Sequence, residues 1–217
     1  GVSLNTYKEY CLYGLYEEMY FLKLHGEGGA QEISKNAIKD FLYGNYVIAD
    51  ILSAAVSSKT DSEKALVQTE FEGFKTRLEK GETFEKIYKE YNGITEEDQT
   101  EDTGDDTPKP KDQYATVLGA KDSGYDHDYY DEISKMATGE ITVIKKENNA
   151  GFLLVVKQDI KADEYYLENL DLTARHLIKD TEFSDEISKT SEGLKEEINK
   201  YAVKQFKVKK IVEPSYQ

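Results

Sequence analysis

An α+β fold, with a sheet-bearing middle and helical segments before and after it, is predicted by three observations on this 217-residue chain. Apolar residues recur at helical spacing near both ends. Short β-rich runs, two of them joined by a turn sequence, fall between those ends. The resulting order reads helices, then β-α-α-loop-β-α-β-β, then helices, with no internal repeat and no sustained heptad pattern.

The first helix carries Leu12, Leu15, Met19 and Leu22 on one seam, with Tyr10, Tyr13, Tyr16 and Tyr20 beside it. More than half of its circumference is apolar or amphipathic, so it is expected to pack against another lobe, ahead of offering a client-binding stripe. Cys11 within it is expected to be a small buried hydrophobe. Gly26, Gly28 and Gly29 break this helix, and Ile33, Ala37, Ile38 and Phe41 define a second that ends near Gly44. The run from Val47 to Leu52 reads as a central strand carrying one charge, Asp50. Thr60 and Glu63 form a capping-box signature for a helix through Ala65, Thr69, Phe74 and Leu78. Phe84, Ile87, Tyr88 and Tyr91 then mark a shorter helix.

Residues 95–112 are polar and strongly acidic, the composition of a mobile solvated loop. The spacing of a calcium-binding loop is absent there. Tyr114 to Ala120 reads as a strand, and Tyr129, Ile133 and Met136 mark a helix that stops before Gly139. Ile141 to Lys146 and Phe152 to Gln158 form a hairpin across Asn148-Asn149-Ala150-Gly151. Two more helices run through Tyr166, Leu170, Ala174 and Leu177, and through Ile187, Leu194, Ile198 and Tyr201. Phe206, Val208 and Ile211 belong to a last turn or a strand.

A formal charge of −15 and a pI near 4.7 disfavour nucleic acid and anionic lipid headgroups as partners. One cysteine cannot form an intrachain disulfide, and three scattered histidines make no zinc-type cluster, so neither metal nor cofactor is expected. Asp126 and Asp128 flank His127 and favour its charged form, and a surface position is its default. No apolar run approaches the roughly 20 residues of a membrane span. Gly1-Val2-Ser3 leads almost at once into helix, which suggests a chain trimmed of a native leader or anchor.

Three stretches resemble landmarks of the parvulin (PpiC-type, rotamase) domain found in extracytoplasmic foldases of the PrsA and SurA kind. Ala49-Asp50-Ile51-Leu52 is similar to the family's opening strand, with aspartate where a histidine is usual. The segment from Arg77 to Phe84 resembles the link between its first two helices. Gly139-Glu140-Ile141, a hairpin, and then Gly151-Phe152-Leu153-Leu154-Val155 resemble its closing motif, with Leu153 at the second histidine position. The glycine-rich turn before the second strand is reduced to Leu118-Gly119.

The resemblance implies a four-stranded antiparallel sheet with surrounding helices over residues 46–160. Residues 1–45 and 161–217 would then supply the N- and C-terminal helices of a chaperone lobe. It places Asp50 at the catalytic position and Leu118, Tyr125, Tyr129, Met136 and Leu153 around a substrate groove. The partners it implies are unfolded or partly folded client polypeptides, and the location a bacterial cell surface or secreted space, as a lipoprotein or free.

Prolyl isomerisation breaks no covalent bond; the site has only to favour a twisted amide against a barrier of about 18–20 kcal/mol. Loss of both histidines therefore weakens catalysis without forbidding it. A folding factor with weak or absent isomerase activity is the leading expectation. An active isomerase with an altered site is the first alternative, and a cell-surface interaction module the second. Asp50, facing a sheet interior, must find a partner or take a raised pKa, and a structural tie to a tyrosine hydroxyl or backbone amide is favoured over a catalytic role.

Overall fold

The computed structural model describes residues 3–94 and 109–192. The chain divides into two compact units, Gly1–Asp180 and Thr181–Gln217. The described part of the second unit is the end of the last helix, where the hydroxyls of Thr190 and Ser191 bond back to the carbonyls of Glu186 and Ser188. The first unit holds the whole of the sheet.

Helix α1 (Leu4–His25) starts at Ser3, whose hydroxyl accepts from the Thr6 amide. It stops at Gly26, where a Cβ would lie 2.3 Å from the Leu22 carbonyl oxygen, so only glycine fits the exit. Helix α2 (Lys35–Asn45) is capped by Ser34 and runs directly into strand β1 (Tyr46–Ala55). Helix α3 (Asp61–Glu79) has the expected capping box, with Thr60 and Glu63 each satisfying the other's backbone N–H. Helix α4 (Phe84–Asn92) is clamped to it by Arg77, which donates to Glu82 at 2.7 Å and to Glu90 at 2.9 Å. Arg77 and Lys86 together hold the Glu82 carboxyl down to about 2.

Strand β2 (Ala115–Gly119) and helix α5 (Tyr130–Lys135) precede the hairpin of β3 (Ile141–Lys145) and β4 (Gly151–Gln158). Asn148 and Asn149 take the left-handed backbone of the turn, each with φ near +53°. Gly151 is forced by proximity, since a Cβ there would sit 2.1 Å from the Ala54 carbonyl oxygen. Helix α6 (Glu164–Ser191) closes the described chain and runs unbroken from the first expected C-terminal helix to Ile187 of the second. The stretch from Leu194 to Ile211 lies outside the described residues, as does most of the acidic loop, residues 95–108.

The sheet order is β2-β1-β4-β3, antiparallel throughout. Strand β1 is central, pairing Asp50 with Ala115 on one side and with Val156 on the other. Because side chains alternate across a pleated strand, even-numbered residues of β1 face one way and odd-numbered ones the other. On the even face, Leu52, Ala54 and Val56 pack with Phe71, Phe74, Leu78, Phe84 and Ile87 of α3 and α4. Further along that face, Tyr46 and Ile48 pack with α2 and α6 through Leu42, Tyr166 and Leu170. On the odd face, Ala49 packs with Leu118, Leu153, Val155 and Ile133 of α5.

Helix α1 departs from expectation. Leu12, Leu15 and Met19 are 46–58% exposed and Tyr10 is 76% exposed, so the described residues leave the apolar seam uncovered. Cys11 is likewise exposed, not buried. The C-terminal end of α1 is its anchor: Phe21 and His25 are buried, and Phe21 stacks on His176 at 4.0 Å. Arg175, itself buried, donates to the His25 carbonyl at 2.6 Å and to Asp171 at 2.6 Å, tying the link between α1 and α2 to α6. Replacing Arg175 with methionine leaves this apolar stem volume but removes the donors, and is expected to cost about 2 kcal/mol. Hydrogen exchange should show it as faster amide exchange in α1, with the sheet unaffected.

Candidate functional site

The structure separates the residues that the family resemblance groups together. Leu118 and Leu153 are buried on the odd face, and Tyr129 and Met136 pack against the same cluster. Asp50 is on the even face, across the sheet from all four, because its position in β1 has the opposite parity to Ala49 and Ile51. Tyr125 is 41% exposed beyond the end of β2, with its ring against Tyr46 and its carbonyl accepting from the Gly119 amide. A site combining Asp50 with Tyr125, Tyr129 and Leu153 is therefore not assembled.

The odd face carries a polar and aromatic shelf above its apolar floor. Tyr129 Oη accepts from the Glu147 amide at 3.3 Å, and the Tyr129 amide donates to His127 Nδ1 at 3.2 Å. Lys146 Nζ donates to Ser53 Oγ at 2.9 Å. Burial pushes the His127 pKa down; Asp128 works against this and Lys146 reinforces it. The expectation that neighbouring aspartates hold His127 charged is thus overturned. Asp126 instead directs its carboxylate to the Ser123 amide at 2.8 Å. With Nδ1 accepting, a neutral His127 carries its proton on Nε2 and presents a hydrogen-bond donor.

This shelf can donate hydrogen bonds to a carbonyl and offer an aromatic edge to an apolar ring, which is what stabilising a rotated amide requires. Ser53, His127 and Lys146 escape a sequence reading because each comes from a different segment and only the strand register gathers them.

The even face presents a groove of about 620 Å³ beside Asp50, lined by Leu78, Phe84, Tyr114, Ile141, Val156 and the chain at residues 109–113. Asp50 is 1% exposed. Its Oδ2 accepts from Gln158 Nε2 at 2.6 Å, and its Oδ1 has no hydrogen-bond partner. The partner is a side-chain amide, in place of the tyrosine or backbone group expected. Burial raises the Asp50 pKa to about 6; Gln158 opposes the rise and the nearby Asp112 adds to it. Nearby Tyr166 also has a buried hydroxyl without a hydrogen-bond partner, and burial followed by the charges of Asp163, Asp112 and Asp50 lifts it to about 12.

Among the described residues no group of three or more histidine, cysteine, aspartate or glutamate side chains is placed to hold a metal ion. No described helix is long and apolar enough to cross a membrane. No family model matches the sequence, and neither the curated proteins nor the solved structures provide a match.

Proposed function

We propose that this chain is an extracytoplasmic protein-folding factor of the PrsA/SurA type, whose sheet unit is a parvulin-like module with weak or no prolyl isomerase activity. The observation that carries the reading is the β-α-α-β-α-β-β order folded as an antiparallel β2-β1-β4-β3 sheet, with helices before and after it. Neither strand position that would hold a family histidine carries one: Leu153 is core, and Asp50 faces away from α5. The exposed leucines and tyrosines of α1 supply a broad apolar surface with hydrogen-bonding tips, suited to unfolded clients.

Stoichiometric protein is expected to suppress aggregation of a chemically unfolded client. The double variant Leu12→Lys, Tyr16→Lys should lose that effect while its stability stays within about 0.5 kcal/mol of the parent, since both sites are exposed. Unchanged client aggregation with the parent protein would remove the reading.

A second reading, an isomerase with a rebuilt site, is favoured by the shelf of Ser53, His127, Tyr129 and Lys146. It requires accelerated isomerisation of a proline peptide that falls at least tenfold, about 1.4 kcal/mol of transition-state stabilisation, in both His127→Ala and Tyr129→Phe. Rates equal to buffer for the parent would leave the folding-factor reading alone.

A further inference from the structure

We propose that the groove beside Asp50 binds a primary ammonium or guanidinium on an apolar stem, in the form of a lysine or arginine side chain of a polypeptide. The groove is on the even face of the sheet, and this binding role is independent of whether the chain is a folding factor.

Most charges around the groove are already answered. Glu82 is bonded to Arg77 and Lys86, and Glu85 to Lys89 and, more weakly, to the Tyr114 hydroxyl. Lys111 directs its Nζ to the Ala162 carbonyl and its amide to Asp163. Lys109 also lines the groove. Asp112 uses one oxygen to accept from the Tyr114 amide. That leaves Asp50 and Asp112: Asp112 favours the protonated form of Asp50 through its charge and a side-chain hydrogen bond, and no cation is bonded to either among the described residues.

Asp50 Oδ1 supplies an independent sign of a binding site. It is a buried acceptor lacking a donor, on a side chain that lines the groove. A buried carboxylate oxygen without a donor costs free energy that a hydrogen-bonding cation would recover. The walls then narrow the ligand. Phe84, Leu78, Ile141 and Val156 are apolar and Tyr114 is aromatic, so the cation must arrive on a stem that packs against them. The volume suits one long side chain, being within the roughly 300–1,000 Å³ range of small-ligand sites. A net charge of −15 favours the approach of a basic segment.

The experiment is a carbon-13 NMR titration of the side-chain carboxyls of the full chain at pH 8 with three probes: n-butylamine, a blocked glycine-flanked lysine peptide, and the same peptide with norleucine in place of lysine. The lysine peptide is expected to shift the Asp50 and Asp112 resonances and to bind about tenfold or more tighter than its norleucine twin. Asp50→Asn should lose that same factor. Affinity for n-butylamine equal to that for the peptide would assign the groove to small amines and overturn the polypeptide assignment. Equal binding of the two peptides, or unmoved Asp50 and Asp112 resonances in the parent at saturating probe, would overturn the site altogether.

Discussion

Phe71→Ala is expected to destabilise the sheet unit by about 4 kcal/mol, the largest loss foreseen for any single side chain in the protein. Phe71 is wholly buried, and its ring sits 6.0 Å from Phe74, 5.6 Å from Tyr91 and 6.4 Å from Phe152. It thereby joins α3 and α4 to the even face of β4. Truncation removes the transfer free energy of a phenyl group and leaves a cavity among rings that cannot close on it. Phe71→Leu, which keeps most of the volume, should cost about 1–1.5 kcal/mol. The chain has no tryptophan, so urea unfolding followed by circular dichroism or tyrosine fluorescence is the appropriate measurement. Losses below about 1 kcal/mol for both variants would mean that α3 contributes little to the cooperative unit.

Much of this architecture is legible in the residues. The capping box at Thr60 and Glu63, the Asn-rich hairpin turn, and the helical spacings of α2 to α4 each lie where local chemistry places them. The limits have physical causes as well. Strand β1 is covered on both faces, so Val47-Ile48-Ala49-Asp50-Ile51-Leu52 is a nearly continuous apolar run with no alternation to reveal which way Asp50 points. Parity decides that, and a shift of one residue would have carried Asp50 to Tyr129 and Leu153.

Helix α1 illustrates a different limit. Periodicity identifies an apolar face but is silent about whether anything covers it, and here the buried residues are Phe21 and His25, at the helix's end. For His127, proximity in sequence misled: Asp126 turns to a backbone amide, and burial outweighs Asp128. The shelf on the odd face could not be read at all, since Ser53, His127 and Lys146 meet only through the pairing of β1 with β4 and the hairpin beyond it.

Asp50→Asn should raise stability, by up to about 3 kcal/mol at pH 8, and the gain should vanish below about pH 4. In the folded chain burial lifts the Asp50 carboxyl to about 6, with Gln158 opposing and Asp112 adding. An unfolded chain titrates it near the ordinary aspartate value of about 3.9. Between these values the folded state binds more protons than the unfolded one, so stability falls as pH rises through that window and stays low above it. An asparagine escapes the window. Its oxygen still accepts from Gln158, and its new amide donor can meet the Asp112 carboxylate, which answers the position where Asp50 Oδ1 has no donor. Thermal melts of parent and variant from pH 4 to pH 8 measure the difference; a gain independent of pH would assign it to packing instead of charge. The same linkage separates a structural carboxylate from a binding one. A lysine peptide that pairs with ionised Asp50 should recover much of the lost stability in the parent at pH 8, and raise the melting temperature of Asp50→Asn far less.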